Sequence, residues 1–327
     1  MAFKATVAAI FLGTTLFTIP VNAASLDLSP SPVAVLEQAP PQGGAAQATE
    51  GPKAWQAAPA DRDLNLKPSQ AEEAGNGDMD RFNGKYVKGI LVDSGKLFSS
   101  PLRWDSSDWL KFGVVLGGTA TLFLVDEPLN DFTRKNQNSA GKGIASVGNT
   151  IGNPLLHFPA MGAFYLYGHM ADDSKARRTS LLAFESLTIT GLVTSAHKML
   201  FNRHRPKAGD GNWSWDGPSI SGDNVSFCSG HTSSSFALAT VFAEEYKDNK
   251  YVPPVAYGLA TMVAMSRLYS NEHWISDTFF GAALGYFTSK AILSYHKKKE
   301  QSALSKRLSI VPEVSSRMTG LTVNYQF

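Results

Sequence analysis

The chain has 327 residues, a formal net charge of +2 from 30 Lys and Arg against 28 Asp and Glu, and 43% hydrophobic residues. That length holds one large domain or two small ones, with apolar content sufficient for a full core. The near-neutral balance and the lack of a basic stripe interleaved with aromatics argue against a nucleic-acid partner, and the single cysteine, Cys228, excludes an intramolecular disulfide.

The N-terminus carries Lys4, an apolar run over residues 5–20, and Val21-Asn22-Ala23, a small-x-small site. This predicts a secretory signal peptide over 1–23, and hence an exported protein of a periplasm; a retained membrane anchor is the alternative. Residues 24–78 are rich in Ala, Pro, Gln and Gly with no sustained period, which predicts a disordered linker. Residues 79–104 read as an amphipathic arm leading into the domain.

The main domain is expected over 105–300. Ser106 or Ser107 can cap a helix with Asp108 in its first turn, running to Val125. Its uncharged core, between Lys111 and Asp126, is shorter than the twenty or so residues of a membrane span. Asp126, Glu127 and Asp131 read as helix-end and capping residues, since no His or Cys lies at ligand spacing. Residues 141–154, rich in Gly and Asn, are expected to be a loop or short helix. A buried helix follows through PLLHFPAMGAFYLYGHM, with His157 and His169 as core or surface residues.

Ser180 to Phe201 forms a long helix that delivers Lys198, and its mid-helix Glu185 suggests a protein-facing or solvated side. In KMLFNRHRP, Lys198 and Arg205 are seven apart, which predicts that both project from one helical face before Pro206 ends the helix. Residues 207–225 form a polar, Gly-rich loop carrying Trp213 and Trp215, expected to overhang the site and either contact substrate or pack the loop. FCSGHT then opens another helix. Ser229 and Gly230 would sit at its N-terminus, an anion cradle of free amides and positive dipole, with His231 beside it.

The run SRLYSNEHWISD offers Arg267, then His273 six places on and Asp277 four further. If His273 opens a helix, Asp277 lies one turn below on the same face. A carboxylate there accepts the imidazole Nδ1–H and leaves Nε2 as nucleophile or base, while Arg267 suits an oxyanion. Cys228, beside the turn, is a structural residue in this reading rather than a second nucleophile. The basic run His296 to Lys299 follows a helix and is read as a solvated end; contact with anionic lipid is the alternative. No strand pattern occurs before residue 305, so the domain is expected to be an all-α helical bundle. Over 301–327, Leu308 to Val314 and the alternating Leu321 to Phe327 predict a short β-hairpin across 315–320.

Taken in order, Lys198-x6-Arg205-Pro206, Ser229-Gly230-His231 and Ser266-Arg267-x5-His273-x3-Asp277 resemble the three-part signature of the type 2 phosphatidic acid phosphatase superfamily, which includes bacterial acid phosphatases and vanadium haloperoxidases. Cys228 stands where the family usually has Pro. The resemblance implies that Lys198, Arg205, Arg267 and the Ser229 and Gly230 amides bind phosphoryl oxygens, that His273 attacks phosphorus with Asp277 holding its ring, and that His231 protonates the leaving group. It implies no metal and no cofactor. The expected substrate is a phosphate monoester, with a phospholipid among the candidates, and the enzyme is expected to be periplasmic, soluble or peripherally membrane-associated. An integral membrane phosphatase and a vanadate-dependent haloperoxidase are the alternatives.

Overall fold

The computed structural model describes residues 80–220, 225–314 and 319–325. The predicted signal peptide and all of the linker lie outside the described residues. Within them the architecture is all-α, as expected. The helices are α1 (Gly84–Phe98), α2 (Ser106–Phe123), α3 (Asp126–Lys135), α4 (Ser139–Ile151), α5 (Pro154–Met170), α6 (Ser174–Phe201), α7 (Gly230–Glu245), α8 (Val252–Tyr269) and α9 (Ile275–Arg307). Beyond Arg307, β1 (Leu308–Val314) and β2 (Thr319–Tyr325) pair antiparallel with Leu308 opposite Tyr325.

Local chemistry sets the helix starts. Asp105 Oδ1, not Ser106 or Ser107, accepts the Asp108 amide at 3.0 Å to cap α2. Asn138 caps α4, Asn153 caps α5 with Pro154 at its first position, and Asp173 caps α6. The glycine-rich stretch read as a loop or short helix is a helix of 13 residues, α4.

The long helices α6, α7 and α9 pack on one another. α5 lies against α6, α8 against α7, α4 against α8 and α2 against α9. Gly285 permits the α7–α9 contact: a Cβ there would lie 2.0 Å from the Ser233 carbonyl oxygen. One apolar cluster, including Leu182, Leu187, Ile189, Val241 and Ile292, fills the middle of the bundle. A second, of Val193, Phe201, Phe227, Cys228, Phe280 and Leu284, underlies the segments that carry the three motifs. Burying each large side chain of this kind contributes about 1.5–3 kcal/mol.

Many large apolar side chains remain exposed, among them Leu91, Leu102, Leu110, Leu155, Met170 and Val255. Among the described residues no single helix is long and apolar enough to cross a membrane; α2 and α3, bent by 56° at their junction, satisfy length and composition only as a pair.

Candidate active site

Three chain segments meet at one end of the bundle: the end of α6 with the residues after it, the start of α7, and the α8–α9 connection. Backbone and side-chain bonds knit them. The Ser229 amide donates to the Asp277 carbonyl at 3.2 Å, and Trp274 Nε1 donates to the His204 carbonyl at 2.9 Å.

Lys198 lies in the last turn of α6, where its ammonium donates to the Val225 carbonyl. Burial lowers its pKa to about 8, with Arg205 and Arg267 acting in the same direction. Arg205 does not share a helical face with it. α6 ends at Phe201 because Asn202 adopts the left-handed conformation, at φ 40° and ψ 52°, a conformation Asn tolerates at helix ends. Arg205 then lies in extended backbone, and Pro206 opens a short 3-10 turn instead of ending α6.

Arg205 and Arg267 nevertheless converge. Both reach Glu272 Oε2, Arg205 directly through Nη1 and Arg267 through Nη2 at 3.5 Å, while Lys207 donates to Oε1 at 2.8 Å. Burial raises the Glu272 pKa, but these three cations outweigh it and hold the carboxyl below its usual range. Arg267 also donates to Asn149 Oδ1 at 2.7 Å. The Nε of each arginine is buried without a hydrogen-bond partner among the described residues, a costly state for a charged donor.

Ser229 serves the site differently from the sequence reading. Its hydroxyl caps α7, accepting from the Thr232 hydroxyl at 3.0 Å and the Thr232 amide at 3.4 Å. Its own amide is engaged by Asp277. The amides left without an intrahelical acceptor in that first turn include those of Gly230 and His231. His231 follows directly, its pKa pushed down to about 4 by burial and then by Arg267, His157, Lys198 and Arg205.

His273 lies two residues ahead of α9, not inside it. Its Nδ1 is 3.8 Å from Asp277 Oδ2 and 3.4 Å from Ser226 Oγ. The first distance is too long for a hydrogen bond, so Ser226 bridges: its hydroxyl donates to Asp277 Oδ2 at 2.5 Å. Burial drives the His273 pKa to about 3 despite the carboxylate; the ring is neutral near pH 7. The Asp277 carboxyl is itself held at about 2. Burial opposes this, and Arg203 is the largest stabilising influence.

Sequence reasoning missed Arg203. It is fully buried, and its five N–H donors are all engaged: Nη1 to Asp277 Oδ1 (2.6 Å) and Ser276 Oγ, Nη2 to Asp126 Oδ2 (2.7 Å) and the Asn212 carbonyl, and Nε to that carbonyl. Its guanidinium also lies 4.1 Å from the Phe123 ring centroid. Asp126 is therefore a buried anchor, also accepting from the Ser276 amide at 3.0 Å and hydroxyl at 2.7 Å. The tryptophans of the 207–225 loop pack on aromatics: Trp213 stacks on Phe123, and Trp215 meets Phe123, Phe201 and Phe227. Cys228 is fully buried and its thiol is pushed up to about 12 by burial, which leaves it inert.

An apolar groove of about 660 Å³ runs between the end of α4, α5, α7 and α8, lined by residues including Ile151, Leu156, His157, Ser235, Leu238 and Val255; Ser235 lies one turn along α7 from His231. His157 is near enough to His231 to depress its pKa.

Residues 179–301 match the model of the PAP2 superfamily, so the resemblance carried by the three motifs holds. Lipid A 1-phosphatase of Porphyromonas gingivalis is 30% identical over 164 residues, which cover 50% of this chain and 33% of that protein. The chain thus spans about a third of the length of that curated relative. Among solved structures, a transmembrane PAP2 type phosphatidylglycerolphosphate phosphatase from Bacillus subtilis is 14% identical with a TM-score of 0.42, covering 65% of this chain and 95% of its own. LpxE of Aquifex aeolicus is 17% identical with a TM-score of 0.38, covering 52% and 96%.

Proposed function

From the match to the PAP2 superfamily, we propose that this chain is a phosphoric monoester hydrolase acting on a lipid phosphate, through a covalent phosphohistidine on His273. The observation that carries the reading is the pairing of two arginines, each with a buried and unpartnered Nε among the described residues, with a neutral, buried His273 whose Nδ1 faces Asp277. A tetrahedral oxyanion satisfies the arginine donors. Lys198 and the first-turn amides of α7 add charge and direction.

In the first step His273 Nε2 forms a bond to phosphorus as the ester P–O bond breaks. The departing alkoxide takes a proton from His231. The imidazolium character of the phosphohistidine is stabilised by Asp277, which Arg203 and Ser226 hold in place. In the second step His231 takes a proton from water, the water oxygen bonds to phosphorus, and the P–N bond breaks to release phosphate. The depressed pKa of His231 stems partly from Arg267, Lys198 and Arg205; a bound phosphate dianion offsets these cations and restores a proton to the ring.

The apolar groove beside His231 and the exposed apolar side chains support a lipid leaving group and a location at a membrane surface. Export to the periplasm belongs to the same proposal. The test is phosphate release from a short-chain phosphatidic acid and from p-nitrophenyl phosphate, with chelator present, and the variant Leu238→Asp in the groove. The reading expects the lipid to be preferred and that preference to fall in the variant while the small ester is still cleaved. Equal or better use of the small ester returns the protein to a broad acid phosphatase. Bromide oxidation with vanadate and peroxide, without phosphate release, selects the haloperoxidase chemistry.

A further inference from the structure

Near the middle of α6 a second cluster forms, from α1, α6 and α9. Glu185 lies thirteen positions before Lys198, roughly 20 Å along the helix at its 1.5 Å rise, so the cluster is separate from the phosphate site. His296 Nε2 is 2.9 Å from Glu185 Oε2 and 3.7 Å from Asp93 Oδ2. The ligand atoms of Asp93, Glu185 and His296 all lie within 4.8 Å of one another.

We propose that these three residues bind a divalent transition-metal ion of the zinc class. Three observations support this. First, one donor atom from each residue lies within 4.8 Å of the other two. Zinc holds ligands at about 2.0–2.2 Å, so tetrahedral geometry sets them about 3.3–3.6 Å apart. The two separations from His296 Nε2, 2.9 and 3.7 Å, straddle that spacing. Second, the other oxygen of Asp93 is taken: Oδ1 accepts from Lys96 at 2.6 Å, which leaves Oδ2 for the cluster. Third, Glu185 is 1% exposed and its Oε1 is buried with no hydrogen-bond partner among the described residues. A proton shared between His296 and Oε2 leaves that oxygen unsatisfied, whereas an ion bound through both carboxylate oxygens satisfies it. One imidazole with two carboxylates suits zinc or manganese, and the oxygen-only sets typical of calcium and magnesium lack the imidazole. Because the ligands come from three helices, the ion fastens α1 to the bundle and is structural.

The test uses the full chain without an affinity tag, dialysed against chelator-free buffer. Metal content by mass spectrometry, Zn²⁺ titration against a chromophoric chelator, and the visible spectrum after Co²⁺ substitution are measured on the wild type, Glu185→Gln and Asp93→Asn. The proposal expects one zinc per chain, the intense absorption of four-coordinate Co²⁺, and affinity lowered by more than about tenfold in each variant. It also expects a zinc-dependent rise in Tm of the wild type that both variants lose. No zinc above buffer in the wild type overturns it, as does affinity retained in both variants; the cluster is then a His296–Glu185 ion pair alone. The wild-type measurement needs no variant to fold, and phosphate release is not among the readouts, so failure here is distinct from failure of the phosphatase reading.

Discussion

Replacing Arg203 by Met tests how the site is held. The guanidinium is fully buried and sits between two fully buried carboxylates, at 2.6 Å from Asp277 and 2.7 Å from Asp126. Met keeps much of the packing against Phe123 but removes the charge and all five donors. Breaking a buried pair by removing one partner typically costs about 3–5 kcal/mol, because the partner charge is left uncompensated. Here two carboxylates are stranded, so the upper part of that range is expected. Against a total stability of about 5–15 kcal/mol the chain still folds. Urea unfolding at pH 7 gives the magnitude. Repeating it at pH 5.5 gives the cause: the stranded carboxyls take up protons more readily, so the variant's deficit shrinks as pH falls. In turnover the same change raises the Asp277 pKa and loosens the carboxylate that orients His273. The expected signature is a fall in kcat with little change in KM. A loss under about 1 kcal/mol, or a deficit independent of pH, refutes the reasoning that Arg203 is the electrostatic anchor.

Further outcomes follow from the other charges and contacts. Lys198, its pKa lowered to about 8, is charged below that value and loses its charge as pH rises through it. kcat/KM should therefore fall on the alkaline side near pH 8, and Lys198→Arg should remove that limb; an unchanged profile contradicts the role. Glu272→Gln removes a half-buried anion from Arg205, Lys207 and Arg267; inhibition by inorganic phosphate should tighten about three- to tenfold, whereas weakening shows instead that Glu272 positions the arginines. Gly285→Ala places a methyl 2.0 Å from the Ser233 carbonyl and should destabilise by about 1–3 kcal/mol, more if α7 and α9 cannot part; a neutral result in thermal unfolding contradicts the tight helix contact.

The candidate site residues were legible as a group because their types and spacing single them out, and the fold brings their three segments together; what holds them was not legible. Arg203 stands between Lys198 and Arg205 in the sequence and looked like spacing. Its importance depends on Asp126, 77 positions away, and no local pattern reports that. Ser226 escaped notice for the same reason: its hydroxyl matters only once His273 and Asp277 are brought beside it. Spacing also misled. Seven residues from Lys198 to Arg205 suggested two helical turns, but the left-handed Asn202 broke the helix first. The glycines of 141–154 left a loop and a short helix both open, and the helix forms because Gly148 lets α4 approach α8 so closely that a Cβ would meet Ser266 at 2.8 Å. Amphipathic and apolar periodicity located the long helices well, since burial of one face is what stabilises them.

The central claim is a covalent phosphoryl group on His273. Rapid acid or base quench of the purified chain during turnover of a ³²P-labelled short-chain phosphatidic acid, with chelator present, tests it directly. The account predicts label on the protein that is stable to base and labile to acid, approaching one group per chain, and lost together with turnover in His273→Ala. Turnover in the wild type with no protein-bound label under either quench, or His273→Ala turning over at the wild-type rate, contradicts it.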